Sequence, residues 1–162
     1  MTIKIVGIDP GLAATGLGIV SGQGHKISSF AFGVIRTYQK DNLPNRLEKI
    51  YSHLVQIFKE ETPDLLIIED VFSLDCYPKS GITLGKVCGV ITLAGQQARL
   101  AISEIAVREA KQVLTGNGAA SKCQLEKAVR QMLGIEKPIR PSHASDALGL
   151  ALIGLFRYGK SH

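Results

Sequence analysis

Ile3-Lys4-Ile5-Val6-Gly7-Ile8-Asp9-Pro10-Gly11 is the stretch on which the fold turns. Ile3 to Asp9 is a run of β-favouring residues, and Pro10-Gly11 stops it because proline has no N–H to continue a ladder. Side chains alternate along a strand, so Ile3, Ile5, Gly7 and Asp9 share one face. The strand therefore delivers a carboxylate at its carboxyl end, on the same side as its apolar residues.

Working outward, Gly16 to Ser21 is a second strand run that ends in Ser21-Gly22-Gln23-Gly24, and Lys26 to Ile35 is a third. The short glycine-rich connection predicts antiparallel pairing. The period then changes. Leu47, Ile50, Tyr51, Leu54 and Phe58 recur at helical spacing over residues 45–61, and Thr62-Pro63 closes that helix. Leu65-Leu66-Ile67-Ile68 is a short buried strand closed by Glu69-Asp70. A strand, a helix and a strand in this order predict a right-handed crossover to a parallel neighbour. A loop over Val71–Lys79 precedes a helix over 80–99, a fifth strand over 102–107, and helices over 108–114, 121–133 and 142–158. The order β-β-β-α-β-α-β-α-α-α is that of a ribonuclease-H-like α/β architecture, a mixed five-stranded sheet with helices on both faces.

The 162 residues suit one domain spanning 1–162, and an apolar fraction of 45 % excludes a disordered chain. No apolar run approaches the roughly 18 residues of a membrane span, so no membrane association is expected. The chain runs straight from Met1 into strand-like sequence, which predicts a cytoplasmic protein without a signal peptide. Cys76, Cys88 and Cys123 are odd in number and contain no Cys-x-x-Cys pair, so reduced, structural thiols are expected. The net charge of +5 is uneven: residues 1–98 balance nine Lys/Arg against nine Asp/Glu, and residues 99–162 carry ten against five. A basic third suits a polyanionic partner, although a solvated charged surface has the same composition.

Glu69 ends the crossover strand as Asp9 ends the first, with Ile67 on its side. Parallel neighbours would set the two carboxylates side by side at the rim where open α/β sheets place their sites. Either acid alone reads better as a turn or strand-end residue. Together they repel, and a divalent cation resolves the repulsion. The third piece is Arg140-Pro141-Ser142-His143-Ala144-Ser145-Asp146-Ala147-Leu148, with Ser142 as the expected N-cap. His143 and Asp146 lie three apart, on one face of the first turn. The helix beyond them is almost wholly apolar, so it must be buried against the sheet with Asp146 aimed inward. Three acids and a histidine suit two Mg²⁺ or Mn²⁺ ions and phosphodiester hydrolysis, with Asp9 as the candidate bridging ligand.

Five motifs now stand in order: Gly7-Ile8-Asp9-Pro10-Gly11 with Thr15-Gly16, Ile68-Glu69-Asp70-Val71-Phe72, Ala110-Lys111-Gln112, Gly116-Asn117-Gly118-Ala119-Ala120-Ser121-Lys122, and Ser145-Asp146-Ala147-Leu148. Together they resemble the RuvC family of Holliday junction resolvases. The resemblance implies a homodimer that makes paired, Mg²⁺- or Mn²⁺-dependent nicks in a four-way DNA junction, and a branch-migration motor complex as partner. It carries the metal site onto Asp9, Glu69, His143 and Asp146. Family members have either aspartate or histidine at the position of His143, and many have glutamine where Asp70 stands. Lys111 and Lys122 match the family's basic positions beside the site, and Phe72 matches its aromatic; without the motifs these would read as two surface lysines and a packed phenylalanine. Gly81, Gly85 and Gly89 form a stripe on the second helix. With Val87, Val90 and Ile91 they are the expected contact between two copies.

Overall fold

The computed structural model describes residues 1–71 and 78–159. Within them are five strands, β1 (Ile3–Asp9), β2 (Ala14–Gln23), β3 (Lys26–Arg36), β4 (Leu65–Glu69) and β5 (Ala101–Ile105). Five helices accompany them: α1 (Leu43–Glu61), α2 (Pro78–Gln97), α3 (Val107–Thr115), α4 (Lys122–Leu133) and α5 (Ser142–Tyr158). The sheet order is β3-β2-β1-β4-β5. β1, β2 and β3 form the expected antiparallel meander, and β1, β4 and β5 are parallel.

The alternation in the sequence sorts the core into two layers. Val6 and Ile8 of β1 and Leu66 and Ile68 of β4 pack with Ile50, Leu54 and Phe58 of α1 and Val87, Ile91 and Ala94 of α2. Ile5 and Ile67 point the other way, into a layer shared with α3, α4 and α5. Asn42 caps α1, its side chain accepting from the Asn45 backbone N–H at 2.9 Å, and Thr62 ends it in the left-handed region. Ser121 and Gln124 form a reciprocal capping box at the start of α4.

α5 lies directly on β1 and β2 because glycines face it there. A Cβ built on Gly7 would stand 2.6 Å from the Ala151 nitrogen, one on Gly18 2.6 Å from the Leu148 Cα, and one on Gly16 3.0 Å from the His143 Cβ. These glycines let the first turn of α5 descend onto the end of β1.

Several expectations are corrected. Pro141, not Ser142, is the N-cap of α5; it provides no side-chain cap, and Ser142 is the first helical residue. α2 begins at Pro78 rather than Ser80, a position where the missing N–H costs nothing. β5 ends at Ile105, since Val107 already opens α3. Val87 and Ile91 are fully buried against their own sheet, so they cannot meet a second copy. Gly85 and Gly89 do face open space. Cys88 is half-buried, whereas Cys123 is exposed rather than structural; Cys76 lies outside the described residues. Among the described residues, no helix is long and apolar enough to cross a membrane.

Candidate active site

Three elements converge at the carboxyl end of β1. The parallel register pairs Gly7 with Ile67 and Ile8 with Ile68, so the next step sets Asp9 beside Glu69. The two carboxyl groups share a hydrogen bond. From above, His143 in the first turn of α5 brings its Nδ1 to 2.6 Å from Asp9 Oδ2. Asp146, one turn further, is buried with them. All four predicted site residues are thus brought together from β1, β4 and α5.

These carboxylates are out of water, at 7 % exposure for Asp9 and 8 % each for Glu69 and Asp146. Burial is the main reason their proton affinities rise. Asp9 is pushed up to about 6 by desolvation, eased by its hydrogen bond with Glu69, raised again by the Asp146 charge and lowered by Lys122. Glu69 is pushed up to about 8 by desolvation, then by its hydrogen bond to Asp9 and the Asp9 charge, with Lys122 and His143 opposing. Asp146 rises through desolvation, against the pull of Lys122, His143 and Lys111. A proton held between Asp9 and Glu69 would do what a cation does, relieving repulsion between two buried carboxylates. Three buried carboxylates and an imidazole are a donor set that hard divalent ions accept. The chemistry of these residues therefore fits a divalent metal, which would displace that proton, although among the described residues no group of three or more such side chains stands close enough as placed to hold an ion.

The two predicted lysines stand at the same rim. The Lys122 ammonium is 3.9 Å from Asp146 Oδ2 while its side chain remains 72 % exposed. Lys111, on α3, is near enough to act on the Asp146 carboxyl. Phe72 lies outside the described residues. Sequence reasoning missed the staples of the loop that follows Asp9. Thr15, fully buried, donates its hydroxyl to the Gly11 carbonyl at 2.7 Å. The Thr37 hydroxyl donates to the Leu12 carbonyl and accepts from Arg46 Nε at 2.8 Å. Thr15 stands inside the first of the five motifs, and that was the signal available in the sequence. The Cys88 thiol is pushed up to about 11 by burial and by Glu104, Glu69 and Asp70, which makes it a poor nucleophile.

The family model described as "Crossover junction endodeoxyribonuclease RuvC" matches residues 5–154. A protein of that name from Rhodopirellula baltica is 35 % identical over 150 residues, covering 93 % of this chain and 84 % of the relative. Another from Natranaerobius thermophilus is 37 % identical and covers 91 % of each. Among solved structures, Thermus thermophilus RuvC in complex with a Holliday junction substrate superposes with a TM-score of 0.89 at 27 % identity, over 96 % of this chain and 94 % of that one. The yeast mitochondrial Holliday junction resolvase Ydc2 shares the fold, with a TM-score of 0.63 at 12 % identity over 96 % of this chain and 78 % of that one.

Proposed function

The chain belongs to the RuvC family of crossover junction endodeoxyribonucleases, and from that premise we propose that Asp9, Glu69, His143 and Asp146 are the metal-binding catalytic residues with which it cuts Holliday junctions. The chain is an endonuclease of junction DNA, and its chemistry is metal-dependent phosphodiester hydrolysis. The observation that carries the site is the joining of three buried carboxylates and His143 at one rim, with Lys122 beside them.

Mg²⁺ or Mn²⁺, two ions per site, would supply water activation and stabilisation of the leaving oxygen. The protein's own part is positioning. Asp9, Glu69, His143 and Asp146 would hold the ions, with Asp9 placed between Glu69 and His143. His143 orients the Asp9 carboxylate through its Nδ1 hydrogen bond. Lys122 and Lys111 hold phosphates at the mouth and offset the charge that gathers at the scissile group. The domain 1–162 works as one unit in the cytoplasm. Phe72, three residues after Glu69 in the sequence, is assigned to stacking on an unpaired base at the crossover.

A junction has two equivalent strands to cut, and a homodimer presents one site to each. The contact we assign is the outward face of α2, where Ile82 and Leu93 are exposed apolar side chains on the stripe of Gly85 and Gly89.

The deciding experiment incubates a labelled four-way junction with the wild-type protein and with Asp9→Asn, with and without Mn²⁺ or Mg²⁺. Metal-dependent paired nicks by the wild type are expected. Asp9→Asn is expected to bind the junction and leave it uncut; cutting above a trace would sink the assignment.

A further inference from the structure

The stretch from Arg36 to Lys49 joins β3 to α1, and it lies at the same rim as the candidate site. Arg36 pairs with Ala14 across the sheet, and the Thr37 N–H donates to the Ala13 carbonyl at 3.1 Å. The loop that leaves Asp9 therefore runs into this junction. Arg46 is tied to the same loop through Thr37. Lys111 and Lys122, on α3 and α4, stand on the opposite flank of the site.

The segment carries Arg36, Lys40, Arg46 and Lys49 against two carboxylates, Asp41 and Glu48. Among the described residues none of these four cations is held in an ion pair. Two of them gather instead on an aromatic ring: Lys49 Nζ is 4.8 Å and Lys40 Nζ 5.7 Å from the centre of Tyr38, whose side chain is exposed. Like charges crowded on one ring repel, and the ring face only partly offsets that. The α1 N-terminus adds its half-charge, with no acid in its first turn to neutralise it. A positive surface with no cation neutralised by an internal carboxylate, attached to the loop after Asp9 through Thr37, suits a polyanion passing over the site.

We propose that Arg36, Tyr38, Lys40, Arg46 and Lys49 form a second DNA-backbone surface, which grips the phosphates of a junction arm leaving the active site over the β1–β2 loop. The inference rests on the reading of the chain as a junction nuclease. It completes the track: one flank of the scissile phosphate faces Lys111 and Lys122, the other faces this cluster. Lys40 and Lys49 contact phosphates, and Tyr38 holds the two ammonium groups together so that they meet the backbone as a pair.

The test measures junction affinity against salt in EDTA, so that no cutting consumes the substrate. Lys40→Gln/Lys49→Gln is compared with wild type, with Lys40→Arg/Lys49→Arg, and with Lys26→Gln/Lys59→Gln. The last pair removes the same charge at the opposite end of the sheet. Loss of two phosphate contacts should make the slope of log affinity against log salt shallower by about 1–2 and weaken binding about tenfold near 0.1 M salt. The arginine pair should restore both, and the Lys26/Lys59 pair should match wild type. A Lys40/Lys49 variant, folded by circular dichroism, that keeps the wild-type slope overturns the surface while leaving the nuclease reading intact. An equal loss in the Lys26/Lys59 control overturns it as well, because the effect would then be one of total charge. Failure of the wild type to bind a four-way junction removes the nuclease reading and this surface with it.

Discussion

The carboxyl pair at the end of β1 and β4 ties stability to pH in a direction opposite to that of most surface acids. Both folded-state values lie above the ordinary ones, about 6 for Asp9 and about 8 for Glu69. The folded protein therefore holds protons that the unfolded chain releases, and stability falls as pH rises. The contribution is fully present below about pH 4 and is lost as pH climbs through 6 to 8. The metal-free protein should melt at a lower temperature at pH 8 than at pH 5, and Glu69→Gln should flatten that dependence and raise the melting temperature at pH 8. Added Mn²⁺ should stabilise wild type more at pH 8 than at pH 5, because the ion replaces the proton; a flat melting profile in the metal-free wild type would contradict the protonated pair. His143 offers a second test at this scale. His143→Asp keeps a ligand at the position and substitutes a harder one, so nicking should persist with its preference moved from Mn²⁺ towards Mg²⁺. Complete loss in both metals would give the imidazole a role in proton transfer instead.

At the scale of elements, the site depends on how closely α5 can settle on the sheet. Gly16 is the point of closest approach to His143, and an added Cβ would press on the His143 backbone carbonyl and its Cβ. Gly16→Ala should lower unfolding stability by about 1–3 kcal/mol, as overpacking does. It should reduce nicking further than the stability loss explains, since the strain falls on the residue that holds Asp9. Gly149→Ala on α5, where a Cβ would meet Leu114, Val129 and Leu125 at ordinary contact distances, should be far milder in urea unfolding and in nicking. Equal effects of the two would mean that the close approach at Gly16 matters only for packing. How far this was legible in the sequence follows from the same contacts. The alternation of Ile3, Ile5, Gly7 and Asp9, and the matching place of Ile67 and Glu69, put both acids on the α5 side, where the structure has them. The periodicity of Leu47 to Phe58 likewise found α1 and its buried face. It did not find which side of α2 faces the sheet. That helix is apolar nearly all round, so Val87 and Ile91 were as eligible for an interface as for the core until the contacts with β4 and α1 were known. Nor did the net balance of residues 1–98 show that Arg36, Lys40, Arg46 and Lys49 gather in one place, because composition averages over segments that the fold separates.

For the whole molecule, symmetric cutting asks the fold to present two sites, and the outward face of α2 is the contact we propose for a second copy. Ile82, Gly85, Gly89 and Leu93 fall on one helical stripe. Its glycines leave space open to a close neighbour, while Ile82 and Leu93 are 64 % and 51 % exposed. Across a two-fold axis the stripe would meet itself, so a charge introduced there is repelled by its own copy and stripped of water. Leu93→Glu should therefore fold normally, run as a monomer in sedimentation, and convert paired cuts into single nicks, so that once-nicked junction accumulates. Val87→Glu, six residues earlier on the opposite side, would bury an unpaired carboxylate among Ile50, Leu54 and Ile68 and should fail to fold. That contrast separates interface from core on a single helix. A Leu93→Glu protein that remains dimeric moves the contact to another surface. A wild type that is monomeric at micromolar concentration yet still cuts both strands without accumulating the nicked intermediate removes the need for symmetry, since one site would then have to serve both strands within a single encounter.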